Sequence, residues 1–107
     1  RFGHGIANLQ TICGMKSKGI HITLIGEKEI VYVIQNETLK FSPKINSTFS
    51  VFSLSEKTSG VSITGAKYPL DNATLTYDFP LGVSNLSTKE TVTVSSKEGI
   101  LFVLLEL

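Results

Sequence analysis

The chain has 107 residues, of which 41% are hydrophobic and 18% are charged, and its formal net charge is +1. This length fits a single domain with one core, and the nearly neutral charge excludes binding to nucleic acid through a basic surface. The longest apolar run, residues 100–105, is far shorter than the roughly 20 residues that span a bilayer. We therefore expect one globular domain without a membrane span and without nucleic acid as a partner.

Residues 1–18 carry apolar side chains at spacings that fit neither a helix nor a strand, and three glycines among them argue against a helix. After this N-terminal arm, the alternation of apolar and polar side chains predicts short strands. The predicted strands cover residues 20–25, 29–34, 39–41, 47–54, 61–63, 73–79, 91–94 and 100–107. The regular alternation of the strand over 73–79 places Tyr77 on its apolar face.

The strands over residues 29–34 and 100–107 are apolar on both faces. We expect the first to be central in a sheet, and the last to lie inside a sheet or inside another subunit. Seven to eight short strands with turns between them predict an all-β, immunoglobulin-like β-sandwich over residues 19–107. The arm over residues 1–18 extends from this sandwich.

Four of the five asparagines stand in Asn-x-Ser/Thr triplets, which are acceptors for N-linked glycans. Such crowding is rare by chance, and three of the triplets fall near predicted turns. The sequence therefore predicts a secreted glycoprotein at the cell surface. The predicted glycosylation sites are Asn36, Asn46, Asn72 and Asn85.

The sequence contains no catalytic or phosphate-binding motif, and His4, His21 and Cys13 lack the spacing of metal ligands. Cys13 is alone, so it either packs as a small buried side chain or pairs with another molecule. We predict no enzyme activity, no catalytic residue, no metal site and no cofactor besides N-linked glycans.

An apolar arm beside an all-β body suggests assembly by donor-strand complementation, in which a segment of one subunit fills a groove of the next. Identical subunits would then join head-to-tail into a filament. The arm can instead pack on its own sheet. The predicted donor-strand anchors are Phe2, Ile6, Leu9 and Ile12.

The arm over residues 1–15, the β body and the four triplets together resemble the glycosylated thread-type surface filaments of thermoacidophilic archaea. The resemblance implies subunits joined through an N-terminal donor strand, a role in adhesion and no catalysis. It predicts a pilus-like filament subunit at the cell surface.

The second hypothesis is a binding module, an immunoglobulin-like ectodomain of a secreted or viral glycoprotein. The number of strands and the triplets fit it equally well. The chain lacks the cysteine pair and the tryptophan that form the usual core of immunoglobulin domains.

Overall fold

The structure, a computed structural model, describes residues 22–78 and 84–107. These residues form nine strands and no helix: β1 (Ile22–Ile25), β2 (Glu29–Gln35), β3 (Thr38–Phe41), β4 (Thr48–Ser53), β5 (Lys57–Thr64), β6 (Leu70–Thr76), β7 (Ser84–Leu86), β8 (Val92–Ser95) and β9 (Ile100–Glu106). The described residues contain no helix that is long and apolar enough to cross a membrane.

The strands pair antiparallel in two sheets. The five-stranded sheet has the order β1-β2-β9-β4-β7, and the four-stranded sheet has the order β3-β8-β5-β6. The predicted all-β, immunoglobulin-like sandwich is confirmed, with nine strands instead of seven or eight. The expectation that β2 and β9 lie inside a sheet is also confirmed, because each of them has a neighbour on both sides.

The core lies between the two sheets and consists of side chains that alternate along the strands. Phe41 of β3 meets Phe49 of β4 with ring centroids 5.6 Å apart in an edge-to-face contact. Each fully buried apolar side chain of this kind contributes about 1.5–3 kcal/mol by leaving water. The core residues without exposed surface are Phe49, Val51, Val61, Ile63, Val92, Val94, Leu101 and Val103.

Three strands differ from their predictions. β5 begins at Lys57, where a polar loop was predicted, because register shifts against β6 let it continue through a polar stretch. β6 begins at Leu70 and ends at Thr76, so Tyr77 lies in a turn and is 65% exposed. β7 was not predicted, since it has only three residues.

The predicted N-terminal arm lies outside the described residues. This holds for the four donor-strand anchors Phe2, Ile6, Leu9 and Ile12. The division of the chain into an arm over residues 1–18 and a domain over residues 19–107 stays a prediction.

One side of the sandwich is closed by backbone hydrogen bonds between the two sheets. Residues 65–69, here called the 65–69 loop, connect β5 and β6 of the four-stranded sheet. Lys67 N donates to Leu86 O at 2.9 Å, and Thr88 N donates to Gly65 O at 2.9 Å. β7 is therefore bonded to β4 along one edge and to the 65–69 loop along the other.

Candidate ligand-binding site

The 65–69 loop presents an exposed aromatic side chain on a tightly held backbone. Tyr68 is 56% exposed, whereas Asn85 of β7 is only 2% exposed. Tyr68 N donates to Asn85 Oδ1 at 2.9 Å, and Asn85 Nδ2 donates to Tyr68 O at 2.8 Å. Asn85 Oδ1 also accepts from Leu86 N at 3.0 Å. One buried side chain thus satisfies both polar backbone groups of Tyr68.

A second buried residue, Ser87, directly follows β7. It holds residues 44–47, which lie on the other side of β7 from the 65–69 loop. Ser87 is 0% exposed, and its Oγ accepts from Ser47 N at 2.9 Å and donates to Lys44 O at 2.8 Å. Its backbone accepts from Asn46 N at 2.8 Å and donates to Ser47 O at 2.9 Å. Asn85 and Ser87 therefore fix the loops on either side of β7.

The start of the 65–69 loop requires glycine. Gly65 has a φ of 76°, in the left-handed region that side chains rarely adopt. A Cβ at this position would also collide with the carbonyl oxygen of Thr91. The close approach of Thr91 therefore sets the path by which the loop leaves β5.

The surroundings of Tyr68 combine apolar and charged groups. Lys67 Nζ lies 5.5 Å from the centroid of the Tyr68 ring, in the range of a cation–π contact. A cleft of about 480 Å³ borders the same loop, and its lining includes Ala66, Leu70 and Asp71. Clefts with apolar walls and a few polar groups are the usual form of small-molecule sites.

A second exposed tyrosine lies at the opposite end of β6 and provides an internal comparison. Tyr77 lines a cleft of about 570 Å³ with Glu56, Lys57 and Asp78 among its neighbours. Among the residues that the structure describes, Tyr77 N donates one long hydrogen bond, to Glu56 O at 3.4 Å. This tyrosine has no counterpart to the Asn85 contact among the hydrogen bonds of the described residues.

The structure separates the four predicted glycosylation sites into two groups. Asn36, Asn46 and Asn72 are exposed and have φ values of 52°, 71° and 54°. Asparagine tolerates this left-handed conformation better than most residues do. Asn85 is buried and its Nδ2 donates to Tyr68 O, so a glycan on this nitrogen would have to be accommodated inside the contact between β7 and the 65–69 loop. Glycan attachment at Asn36, Asn46, Asn72 and Asn85 stays a prediction.

No three His, Cys, Asp or Glu side chains lie close enough together to hold a metal ion in the part of the chain that the structure describes. The sequence analysis did not identify Tyr68 or the contact that Asn85 makes with it. Residues 65–69 carry a local signal, since glycine and proline enclose an aromatic residue. The partner of that residue lies 17 positions further along the chain.

The family model described as "Thiamin pyrophosphokinase, vitamin B1 binding domain" matches residues 36–101, more than half of the chain. The matched segment contains the 65–69 loop and all of β7. No curated protein gives a significant match.

Solved structures agree with the family match. Thiamine pyrophosphokinase from Bacillus subtilis is 25% identical with a TM-score of 0.87, over 99% of this chain and 50% of that chain. The enzyme from Geobacillus thermodenitrificans is 24% identical with a TM-score of 0.83, over 100% of this chain and 49% of that chain. The enzyme from Candida albicans shares the fold at 16% identity, with a TM-score of 0.77, over 100% of this chain and 40% of that chain. The chain thus spans about half the length of these structures or less.

These matches overturn the functional predictions made from the sequence. The resemblance to archaeal surface filaments, the glycosylated adhesive role and the secreted, cell-surface localisation are wrong, because the matches are to a thiamin pyrophosphokinase domain. The immunoglobulin-like ectodomain has no support either. The prediction that the chain is not an enzyme is contradicted for the same reason. Head-to-tail assembly of identical subunits has no support in the structure. The chain belongs to the family of thiamin pyrophosphokinase vitamin B1 binding domains.

Proposed function

We propose that this chain is the thiamin-binding part of a thiamin pyrophosphokinase, an enzyme that transfers a diphosphate group to thiamin. The family match over residues 36–101 carries this proposal. The solved thiamin pyrophosphokinases are about twice as long as this chain. We assign substrate binding to this chain and assign the transfer of the diphosphate group to none of its described residues.

The chemistry of thiamin fits the surface around the 65–69 loop. Thiamin has a flat aminopyrimidine ring and a positively charged thiazolium ring. The exposed ring of Tyr68 can stack on an aromatic group, and such contacts contribute roughly 0.5–1.5 kcal/mol beyond the area that they bury. Asp71 in the adjacent cleft supplies a negative charge for the thiazolium ring.

The loop on the other side of β7 adds an apolar contact surface. Ile45 is 53% exposed, and the backbone next to it is bonded to Ser87. Ile45 and Tyr68 thus stand on the two loops that border β7. A substrate bound across this end of the sandwich would meet one apolar side chain from each loop.

The test is calorimetric titration of the full chain with thiamin. Tyr68→Ala is expected to weaken binding about tenfold, because a stacking and cation contact of roughly 1.4 kcal/mol is lost. Tyr77→Ala is the matched control, since Tyr77 is equally exposed and lies at the opposite end of β6. It is expected to leave the dissociation constant unchanged.

Two results would contradict the proposal. If the wild-type chain binds thiamin no better than it binds an unrelated aromatic cation, the assigned substrate is wrong. If Tyr77→Ala weakens binding as much as Tyr68→Ala does, the site is not at the 65–69 loop.

A further inference from the structure

We infer that Asn85 is a positioning residue for the substrate: it fixes the backbone from which the Tyr68 ring projects and so sets the affinity of the site. This inference rests on the proposed function and names a residue that acts through Tyr68 without touching the ligand. Its basis is the pair of hydrogen bonds, 2.9 Å and 2.8 Å long, that join one buried amide to both polar backbone groups of Tyr68.

The contact with Asn85 holds the backbone of Tyr68 from the buried side of the loop. A tyrosine that is 56% exposed would ordinarily follow the motion of its loop. Here its N–H and C=O are both bonded to a side chain that is 2% exposed and belongs to a strand paired on both edges. The backbone of Tyr68 cannot move away from β7 without breaking two partly buried hydrogen bonds.

Asparagine suits this position because of its hydrogen-bonding groups. The contact needs a donor for Tyr68 O and an acceptor that serves both Tyr68 N and Leu86 N. The asparagine side chain supplies one NH₂ group and one oxygen with two lone pairs. An ionised aspartate has the same shape but no donor, so it would leave Tyr68 O without a partner.

A loop whose backbone is held before the ligand arrives loses less conformational freedom on binding. Ordering a loop residue at an interface costs an amount that corresponds to about two- to tenfold in affinity. We therefore expect Asn85→Asp to weaken thiamin binding about fivefold through this ordering cost. Thr58→Val removes a hydroxyl that is as deeply buried, but this hydroxyl bonds to Ser53 and Ile100 at the Tyr77 end of the sandwich and leaves Tyr68 untouched.

The first experiment is a double-mutant cycle on the full chain, with thiamin affinity measured by calorimetry. Asn85→Asp is expected to weaken binding about fivefold in the wild-type background and to have no further effect in the Tyr68→Ala background. Thr58→Val is expected to leave affinity unchanged. Equal losses from Asn85→Asp in both backgrounds, or an equal loss from Thr58→Val, would overturn the inference and show a general structural role.

The second experiment needs no ligand, so it separates this inference from the proposed function. The chain has no tryptophan, and Tyr68→Trp therefore introduces a single fluorescent reporter. Adding Asn85→Asp is expected to lower the fluorescence anisotropy of this tryptophan, because the ring gains motion on the nanosecond scale. A tryptophan placed by Tyr77→Trp is the control and is expected to keep its anisotropy.

The outcomes are distinguishable. If anisotropy falls at position 68 while thiamin does not bind, the positioning role stands and the proposed function fails. If thiamin binds and Tyr68→Ala weakens it, but Asn85→Asp changes neither affinity nor anisotropy, the proposed function stands and the inference fails. Should Asn85→Asp not fold, Asn85→Ser retains an oxygen acceptor, is uncharged, and serves in the same two measurements with the same expected directions.

Discussion

Tyr68 and Tyr77 stand at opposite ends of β6, and the two differ in how their backbones are held. Their exposed fractions are similar, 56% and 65%; Tyr77 lines an open cleft, and the loop that carries Tyr68 borders another. Tyr68 has its N–H and its C=O bonded to the buried side chain of Asn85. Tyr77 lies in a turn where the single hydrogen bond of its N–H is 3.4 Å long.

The comparison shows that exposure and a neighbouring cleft are not enough to indicate a binding site. Recognition of a flat ligand requires a ring whose position is set before binding. At the Tyr68 end, a buried side chain bonds directly to the backbone of the exposed tyrosine, whereas the buried hydroxyls described near the Tyr77 end, those of Ser53 and Thr58, bond to Ser55 and Ile100. Substitutions at the Tyr68 end and at the Tyr77 end therefore test whether the hydrogen bonds that hold the Tyr68 backbone affect stability and thiamin binding.

The largest effect is expected for Asn85→Ala, which leaves Tyr68 N, Tyr68 O and Leu86 N without partners. Because unsatisfied buried polar groups are costly, the free energy of unfolding should fall by about 3 kcal/mol. Urea denaturation measures this loss. Asp78→Ala beside Tyr77 is the control, and a surface substitution of this kind should change stability by less than about 0.5 kcal/mol. A loss below 1 kcal/mol for Asn85→Ala would show that the hydrogen bonds between Asn85 and Tyr68 contribute little to stability.

Next in size is Ser87→Ala, which removes the hydroxyl that joins Ser47 N and Lys44 O. We expect a loss of about 1.5 kcal/mol in urea denaturation. Thr58→Val is the matched change at the Tyr77 end, where Thr58 Oγ1 contacts Ser53 Oγ at 2.6 Å and Ile100 O at 3.2 Å. It should cost less, since Ser53 Oγ keeps its bond to Ser55 O. If Ser87→Ala and Thr58→Val lower the free energy of unfolding equally, the two ends of β6 do not differ in how firmly their loops are held.

A smaller effect is expected for Asp71→Asn in the cleft beside the 65–69 loop. Loss of a partly solvated negative charge should weaken the binding of thiamin about threefold, and the difference should shrink as salt is added. Calorimetry at two ionic strengths measures it. Asp78→Asn removes a negative charge beside Tyr77 and should leave thiamin affinity unchanged. Weaker binding by this variant would place the ligand in the cleft that Tyr77 lines.

The smallest effect is expected for Lys67→Met, which keeps most of the aliphatic chain and removes the ammonium group above the Tyr68 ring. An exposed cation–π contact contributes about 0.5 kcal/mol, so unfolding should become easier by that amount. Lys57→Met, beside Tyr77, is the control. No difference between the two variants would mean that the Lys67 contact adds nothing to the stability of the loop.

Alternation in the sequence located most of the fold because the sheets have regular apolar inner faces. β8 shows this, since Val92 and Val94 are buried and were predicted as one face of a strand. β7 was missed because three residues, Ser84, Asn85 and Leu86, contain too few positions for a period to show. Its pairing is set by contacts with residues that are distant in sequence.

Three of the four Asn-x-Ser/Thr triplets have structural reasons that are not visible in the sequence pattern. Asn36 and Asn46 occupy left-handed turn positions, and the threonine two residues later begins β3 or β4. Asparagine favours such turns and threonine favours strands, so a turn that leads into a strand produces the same triplet. In the Asn85 triplet, both Asn85 and Ser87 are buried hydrogen-bonding residues.

The candidate site could not be predicted from the sequence for a related reason. The distance in sequence between Asn85 and Tyr68 is 17 residues, and no period or motif joins them. Their contact exists because β7 of one sheet lies against the loop between two strands of the other sheet. The three-dimensional arrangement shows that Asn85, which was predicted as a glycosylation site, is a buried residue that supports the backbone of Tyr68.

The bonds on both edges of β7 also bear on the order in which the domain opens. A three-residue strand at the edge of a sheet would ordinarily exchange its amide protons quickly. Leu86 N bonds to Asn85 Oδ1 within β7, Ser87 N bonds to Ser47 O beside β4, and Thr88 N bonds to Gly65 O in the loop between β5 and β6. We expect the Thr88 proton to exchange with solvent only when this contact between the two sheets opens, so the segment that follows the shortest strand should be protected although it lies at a sheet edge.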